Sequence, residues 1–307
     1  MPSMDVVFSQ IVVILLYVGI GYVAGKVKLI GPDQRKFLTR ICTDLILPFT
    51  VLSSASLSLD KRQMAVLGAS GLLVFCIYLG TTILSLAFLS LRHVPVPVKV
   101  TTTSLVTYPN CTFLGLPLCT ALFGERAILF NAVCLLVFNL LFFGCQYSLF
   151  TGKRFQAKNL LTPPTVATGI LVFMLGLDLH FPSPVQQVVA GTGQMITPLS
   201  LIIIGVMMSE NKLLAILKEK KSYLVCLVRN ILIPLLSMAL LNLLSLPPED
   251  KLCLLVYISC PCATLSTIYA IQSDMEPEYA AHSVLMSTLF FALTLPVMIA
   301  VGGRMFL

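Results

Sequence analysis

The feature that most constrains this chain is a series of ten apolar stretches, each about the 20 residues that a helix needs to cross a bilayer. They lie at 6–25, 37–57, 64–91, 99–122, 126–150, 160–179, 188–208, 222–246, 252–272 and 278–303. Short loops join them, and spans with loops account for all 307 residues. The second and fourth stretches are the weakest, because Thr, Ser, Asp and Pro interrupt them. Only 11% of the residues are charged and 57% are apolar, whereas soluble domains carry roughly 25% charge. Such a chain has too little polar surface to cover a water-soluble globule. The expected fold class is an all-α polytopic membrane protein with ten transmembrane helices. Residues 1–5 contain no Lys or Arg, so the first stretch does not read as a cleaved leader.

The net charge of +7 does not point to nucleic acid, because Lys and Arg are scattered through short loops. Basic residues accumulate in cytoplasmic loops. Loops after odd-numbered spans hold thirteen of the twenty, among them Lys26, Arg92, Lys153 and Lys212; the other side holds five, and Arg40 and Arg229 lie within spans. Both termini are therefore expected outside, with the chain in the plasma membrane. The ten cysteines sit mostly inside apolar stretches without zinc-type spacing. They read as small hydrophobes, Cys260-Pro261-Cys262 as packing around a helix break, and no disulfide framework or cofactor is expected. Gly68-Ala69-Ser70-Gly71 reads as a small-residue face for close helix packing.

Three proline landmarks repeat along the chain. Pro32 and Pro182 are 150 residues apart, as are Pro48 and Pro198, while Pro109 and Pro261 are 152 apart. Five spans per unit is odd, so the halves 1–152 and 153–307 must enter the membrane in opposite directions. The expectation is a five-plus-five inverted repeat with two proline-broken crossover helices, the pattern of secondary transporters. Proline removes a backbone donor and clashes with the preceding turn. The freed backbone groups in a bilayer must be buried in protein or face a water-filled cavity. Each half-helix beyond a break offers free amides and a positive dipole end, suited to an anion.

At these residues the chain resembles a known family. Asn110-Cys111-Thr112-Phe113-Leu114-Gly115-Leu116-Pro117-Leu118 is similar to the N-x-G-F-L-G-L-P-L signature of the auxin efflux carriers, the membrane transport proteins that include plant PIN-formed carriers and bacterial malate permease-like proteins. Leu161 to Pro164, Met195 to Val206, Arg229 to Pro234 and residues 260–270 resemble further family motifs in the same order. The resemblance implies a scaffold and a transport subdomain, elevator-like movement, carriage of an organic anion and a homodimer. The family's ninth helix reads P-P-A-x-N where this chain has Pro261-Cys262-Ala263-Thr264-Leu265, and Thr112 replaces a glycine. Asn110 is thus retained while its symmetry mate is absent. The candidate substrate-binding residues are Tyr108, Pro109, Asn110, Cys111, Thr112, Pro261, Cys262, Ala263 and Arg229.

Polar residues inside spans are costly and mark function by default. Arg229 lies eight residues beyond Lys221, about 12 Å deep at 1.5 Å per residue. Either it neutralises a substrate carboxylate, or it is a structural arginine bonded to unwound carbonyls or to Asp44. Arg40 and Asp44 are spaced to pair on one helix face; an unpaired, desolvated Asp44 would instead be a proton carrier. Asn131, Asn139 and Gln146 form a stripe that reads as glue between helices. His282 is a packing histidine or a titrating coupling group. No nucleophile–base or metal constellation appears, so no enzyme is expected. The expected function is secondary active transport of a small carboxylate, with H+ or Na+ as coupling ion. The rival is a membrane receptor that binds a small ligand in the same cavity without net transport.

Overall fold

The computed structural model describes residues 4–57, 59–154, 157–210 and 213–306. Lys212, used above to orient the chain, lies outside them. The described residues are almost wholly helical, in the order α1 (Met4–Lys26), α2 (Pro32–Ser56), α3 (Lys61–Leu91), α4 (Val96–Thr107), α5 (Cys111–Phe123), α6 (Arg126–Thr151), α7 (Pro163–Gly176), α8 (Ser183–Ser209), α9 (Lys220–Asn242), α10 (Pro248–Ser259), α11 (Thr264–Gln272) and α12 (Pro277–Phe306). Six of them (α2, α3, α6, α8, α9 and α12) are long and apolar enough to cross a membrane, and α1, α5 and α7 contain shorter apolar helices. The fourth and ninth apolar stretches are each two helices with extended chain between.

Sequence punctuation sets the helix ends. Asp60 caps α3 by accepting from the Gln63 amide at 2.6 Å, while the Asp60 amide donates to Gln63 Oε1 at 3.0 Å. Proline opens α2, α7, α10 and α12, where its missing N–H costs nothing. Gly152 ends α6 with φ of 66°, a conformation that favours glycine. Inside the helices prolines act differently. Pro48, Pro117 and Pro234 each follow a π-turn, at Cys42–Ile46, Cys111–Gly115 and Val228–Leu232. The wider turn makes room for the ring and for carbonyls that proline leaves without a donor.

The helices pack in two groups. The first comprises α1, α2, α7 and α8, with α1 along α8 and α2 against both α7 and α8. The second holds α3 to α6 and α9 to α12, in which α3 packs on α4 and α6, α9 on α10 and α12, and α12 on α10 and α11. Helix α3 buries Val66, Val74, Ile77 and Tyr78 while leaving Leu72, Ile83, Leu84 and Phe88 exposed. Apolar exposure on that scale suits lipid rather than water. The small-residue face of 68–71 makes no close backbone approach, since Gly71 meets only the Val133 side chain and Gly68 faces open space. The α1–α8 seam does: a Cβ on Gly21 would collide with the Ile202 carbonyl, and one on Gly205 with that of Val18. All ten cysteines are free thiols.

Candidate functional site

The two helix breaks meet. Helix α4 stops at Thr107 because Pro109 cannot continue the amide ladder, and α10 stops at Ser259 before Pro261 for the same reason. The extended segments then pair antiparallel. The Asn110 amide donates to the Pro261 carbonyl at 2.7 Å, and the Ala263 amide to the Tyr108 carbonyl at 2.9 Å. A residue pair over 150 positions apart in sequence thus becomes one two-stranded crossing inside a helical protein.

Side chains hold this crossing on its far side. Arg229, fully buried beside its π-turn in α9, donates from Nε to the Cys260 carbonyl at 3.0 Å. Its Nη1 donates to the carbonyls of Val106 and Thr107 at 3.1 and 3.2 Å, and Nη2 to that of Ile258. One guanidinium thereby serves the orphan carbonyls at the ends of both α4 and α10. The Cys262 amide donates to Ser287 Oγ at 3.0 Å, and Ser104 and Ser266 share a hydroxyl bond of 2.7 Å. Gly115 leaves just enough room for α10: a Cβ there would sit 2.7 Å from Cys260 Sγ and 3.0 Å from the Tyr257 ring.

On the near side lies a cavity of about 250 Å³. The second helix group supplies Pro109, Asn110, Cys111, Thr112 and Phe113, then Ala263, Thr264 and Leu265, with Leu135, Phe138, Asn139 and Phe143 of α6. The first group supplies Thr43, Asp44 and Leu47 of α2, and Thr162 and Pro164 at the start of α7. Most of the wall is apolar. Asn110 is 6% exposed, and its side chain has no hydrogen-bond partner among the described residues. The starts of α5 and α11 both border the cavity, and a helix start leaves its first-turn amides without helical partners.

Of the residues singled out from sequence, Pro109, Asn110, Cys111, Thr112, Ala263 and Asp44 line this cavity. Tyr108, Pro261, Cys262, Arg229 and His282 do not. Tyr108 is packed among the rings of Tyr78, Phe138 and Phe142. Pro261 and Cys262 contribute backbone to the crossing. Arg229 takes the second of its two sequence readings, bonded to unwound carbonyls rather than to Asp44. Asp44 pairs with Arg40, Nε to Oδ2 at 3.3 Å, and accepts from Thr43 Oγ1 at 3.0 Å. His282 is half-buried on α12, away from the cavity wall. In the polar stripe, Gln146 Nε2 donates to the Val100 carbonyl at 3.0 Å and Asn139 Nδ2 to Thr165 Oγ1 at 2.7 Å. Those two join helices as expected; Asn131 makes no side-chain hydrogen bond among the described residues. The sequence reading missed that Asn139 also lines the cavity, together with Thr43, Thr162 and Thr264. A polar residue eight positions along the same stripe as Asn131 carried no mark of which neighbour it would face.

With this geometry in view, comparison with known proteins is decisive. The model of the membrane transport proteins matches the chain twice, over residues 6–154 and 148–299. The chain belongs to that family, which is also the family of the auxin efflux carriers. It is 25% identical over 313 aligned positions to an uncharacterized transporter of Methanothermobacter thermautotrophicus strain Delta H, covering 96% of this chain and 97% of the relative. The protein is accordingly a multi-pass integral membrane transport protein.

Proposed function

We propose that the protein is a secondary active transporter that carries a small organic anion, a carboxylate, by alternating access of elevator type. One observation carries the reading: two half-helices begin at the same cavity, and it is lined by buried Asn110, whose side chain has no hydrogen-bond partner among the described residues. Helix N-termini attract negative charge through free amides and the helix dipole. The Asn110 amide adds a donor at the point where a carboxylate would sit. The cavity has walls from both helix groups, so sliding one group past the other changes which side of the membrane the bound anion faces.

We read the chain as ten spans in two inverted repeats, 1–152 and 153–307. Its packing pairs support that reading, since α1 on α8 is matched by α7 on α2, α3 on α6 by α9 on α12, and α3 on α4 by α9 on α10. The two consecutive family matches support it as well. Both termini face outward across the plasma membrane, and a gradient of H+ or Na+, the membrane potential or the substrate's own gradient supplies the energy. The protein works as a homodimer in this reading.

The test is uptake into proteoliposomes of a panel of small carboxylates, with pH and sodium gradients imposed separately. Wild-type protein takes up at least one carboxylate. Asn110→Ala loses about tenfold or more of that uptake, as expected for a hydrogen bond to a charged group, while its thermal unfolding in detergent stays at the wild-type value. Binding without flux, or wild-type uptake by Asn110→Ala, overturns the reading.

A further inference from the structure

Asp44 is the only charged side chain among the described residues that line the crossover cavity. Arg229, which lies at the crossing, does not line the cavity and is occupied by backbone carbonyls. The cavity therefore has an anion-seeking end, made by the starts of α5 and α11 with Asn110, and an acidic wall on α2. A dicarboxylate would place its second charge against Asp44 or against apolar side chains such as Phe138 and Leu265, both unfavourable.

Asp44 is not used up by its own partners. Arg40 reaches it through a single Nε at 3.3 Å, with the Arg40 side chain 81% exposed and that of Asp44 47% exposed. Pairs of that kind hold weakly. Thr43 takes one site on the other carboxylate oxygen. A carboxylate has about four acceptor sites, so two remain for a ligand in the cavity.

We infer that the substrate is a zwitterion, a small amphipathic molecule with one carboxylate held at the helix starts and one ammonium group held by Asp44. Asp44 is then the residue that sets specificity, a role distinct from carrying a coupling proton. The apolar wall accommodates the aliphatic or aromatic body that carries the two charges. This inference rests on the carboxylate reading of the same cavity.

The experiment compares three radiolabelled probes in proteoliposomes: leucine, 4-methylpentanoate, which is the same skeleton without the ammonium, and glutarate. Wild-type protein takes up leucine at least about tenfold better than either of the others, one such charge contact being enough for that ratio. Asp44→Asn abolishes the preference for leucine over 4-methylpentanoate, and Asp44→Glu keeps a preference for leucine. A wild-type preference for 4-methylpentanoate or glutarate overturns the zwitterion inference and leaves the carboxylate transporter standing. So does an Asp44→Asn variant that retains its selectivity, whether or not its dependence on the pH gradient changes. Uptake of none of the three probes overturns the inference, and uptake of no carboxylate in the wider panel overturns the reading on which it rests.

Discussion

Helices α1 and α8 approach each other through glycines, whereas the two broken helices approach through an arginine. At the α1–α8 seam the backbone of each helix is internally hydrogen-bonded, so contact needs only the absence of side chains, and Gly21 and Gly205 provide it. At the crossing the chain has left the helix, and carbonyls at the ends of α4 and α10 have no partner of their own. Bringing those segments together inside a membrane therefore requires donors, and Arg229 reaches the ends of both helices at once. The difference teaches that close packing and backbone satisfaction are separate problems. The first is solved by removing atoms and the second by importing charge.

Breaking the crossing should have the largest effect. Arg229→Met strips the donor from carbonyls on both half-helices, and hydrogen bonds from charged groups are worth about 1.5–3 kcal/mol each. The expected loss is at least about 3 kcal/mol of stability, read as a fall in thermal unfolding temperature in detergent. Arg229→Lys should recover only part of it, because one ammonium cannot replace a planar fork that reaches several carbonyls. A wild-type unfolding temperature for Arg229→Met would mean that the paired segments hold themselves.

Breaking the seam should cost less. Gly205→Ala puts a methyl against the Val18 carbonyl and forces the helices apart, an overpacking penalty of about 1–3 kcal/mol. Gly19→Ala on the partner helix α1 meets open space and should be neutral or slightly stabilising. Equal effects at the two positions in thermal unfolding would refute the seam as a point of close approach.

The smallest effect sharpens the comparison, because Gly115 belongs to both kinds of region. It lies in the crossing yet works by absence, with Cys260 Sγ 2.7 Å from where its Cβ would be. Gly115→Ala should destabilise by about 1 kcal/mol, and Cys260→Ala in the same chain should restore most of the loss. Additive losses in the double variant would show that the clash is not with that sulfur.

Some of this architecture was legible in order along the chain. Apolar length marked the helical segments, and the matched prolines at 109 and 261 marked the two breaks, because proline acts on its own backbone whatever surrounds it. The family motif around Asn110 pointed to the cavity for the same local reason. The π-turns before Pro48, Pro117 and Pro234 were not legible, since whether a helix kinks, widens or stops at a proline depends on what its neighbours can accept. The position of Arg229 inside a span was legible too, but its two readings, substrate charge or structural arginine, differ only in which partners lie within reach. Those partners come from residues 106–107 and 258–260, more than 120 and about 30 positions away.

The sequence by itself determined that the chain is a membrane-embedded helical protein broken at two proline-marked points, because hydrophobicity and proline geometry are properties of single segments. Only the tertiary structure decided that the breaks pair with each other, that Arg229 serves carbonyls while Asp44 faces the cavity, and that both half-helices begin at one place. Those outcomes depend on distances between segments far apart in the chain, and no local pattern encodes which carbonyl a guanidinium will meet.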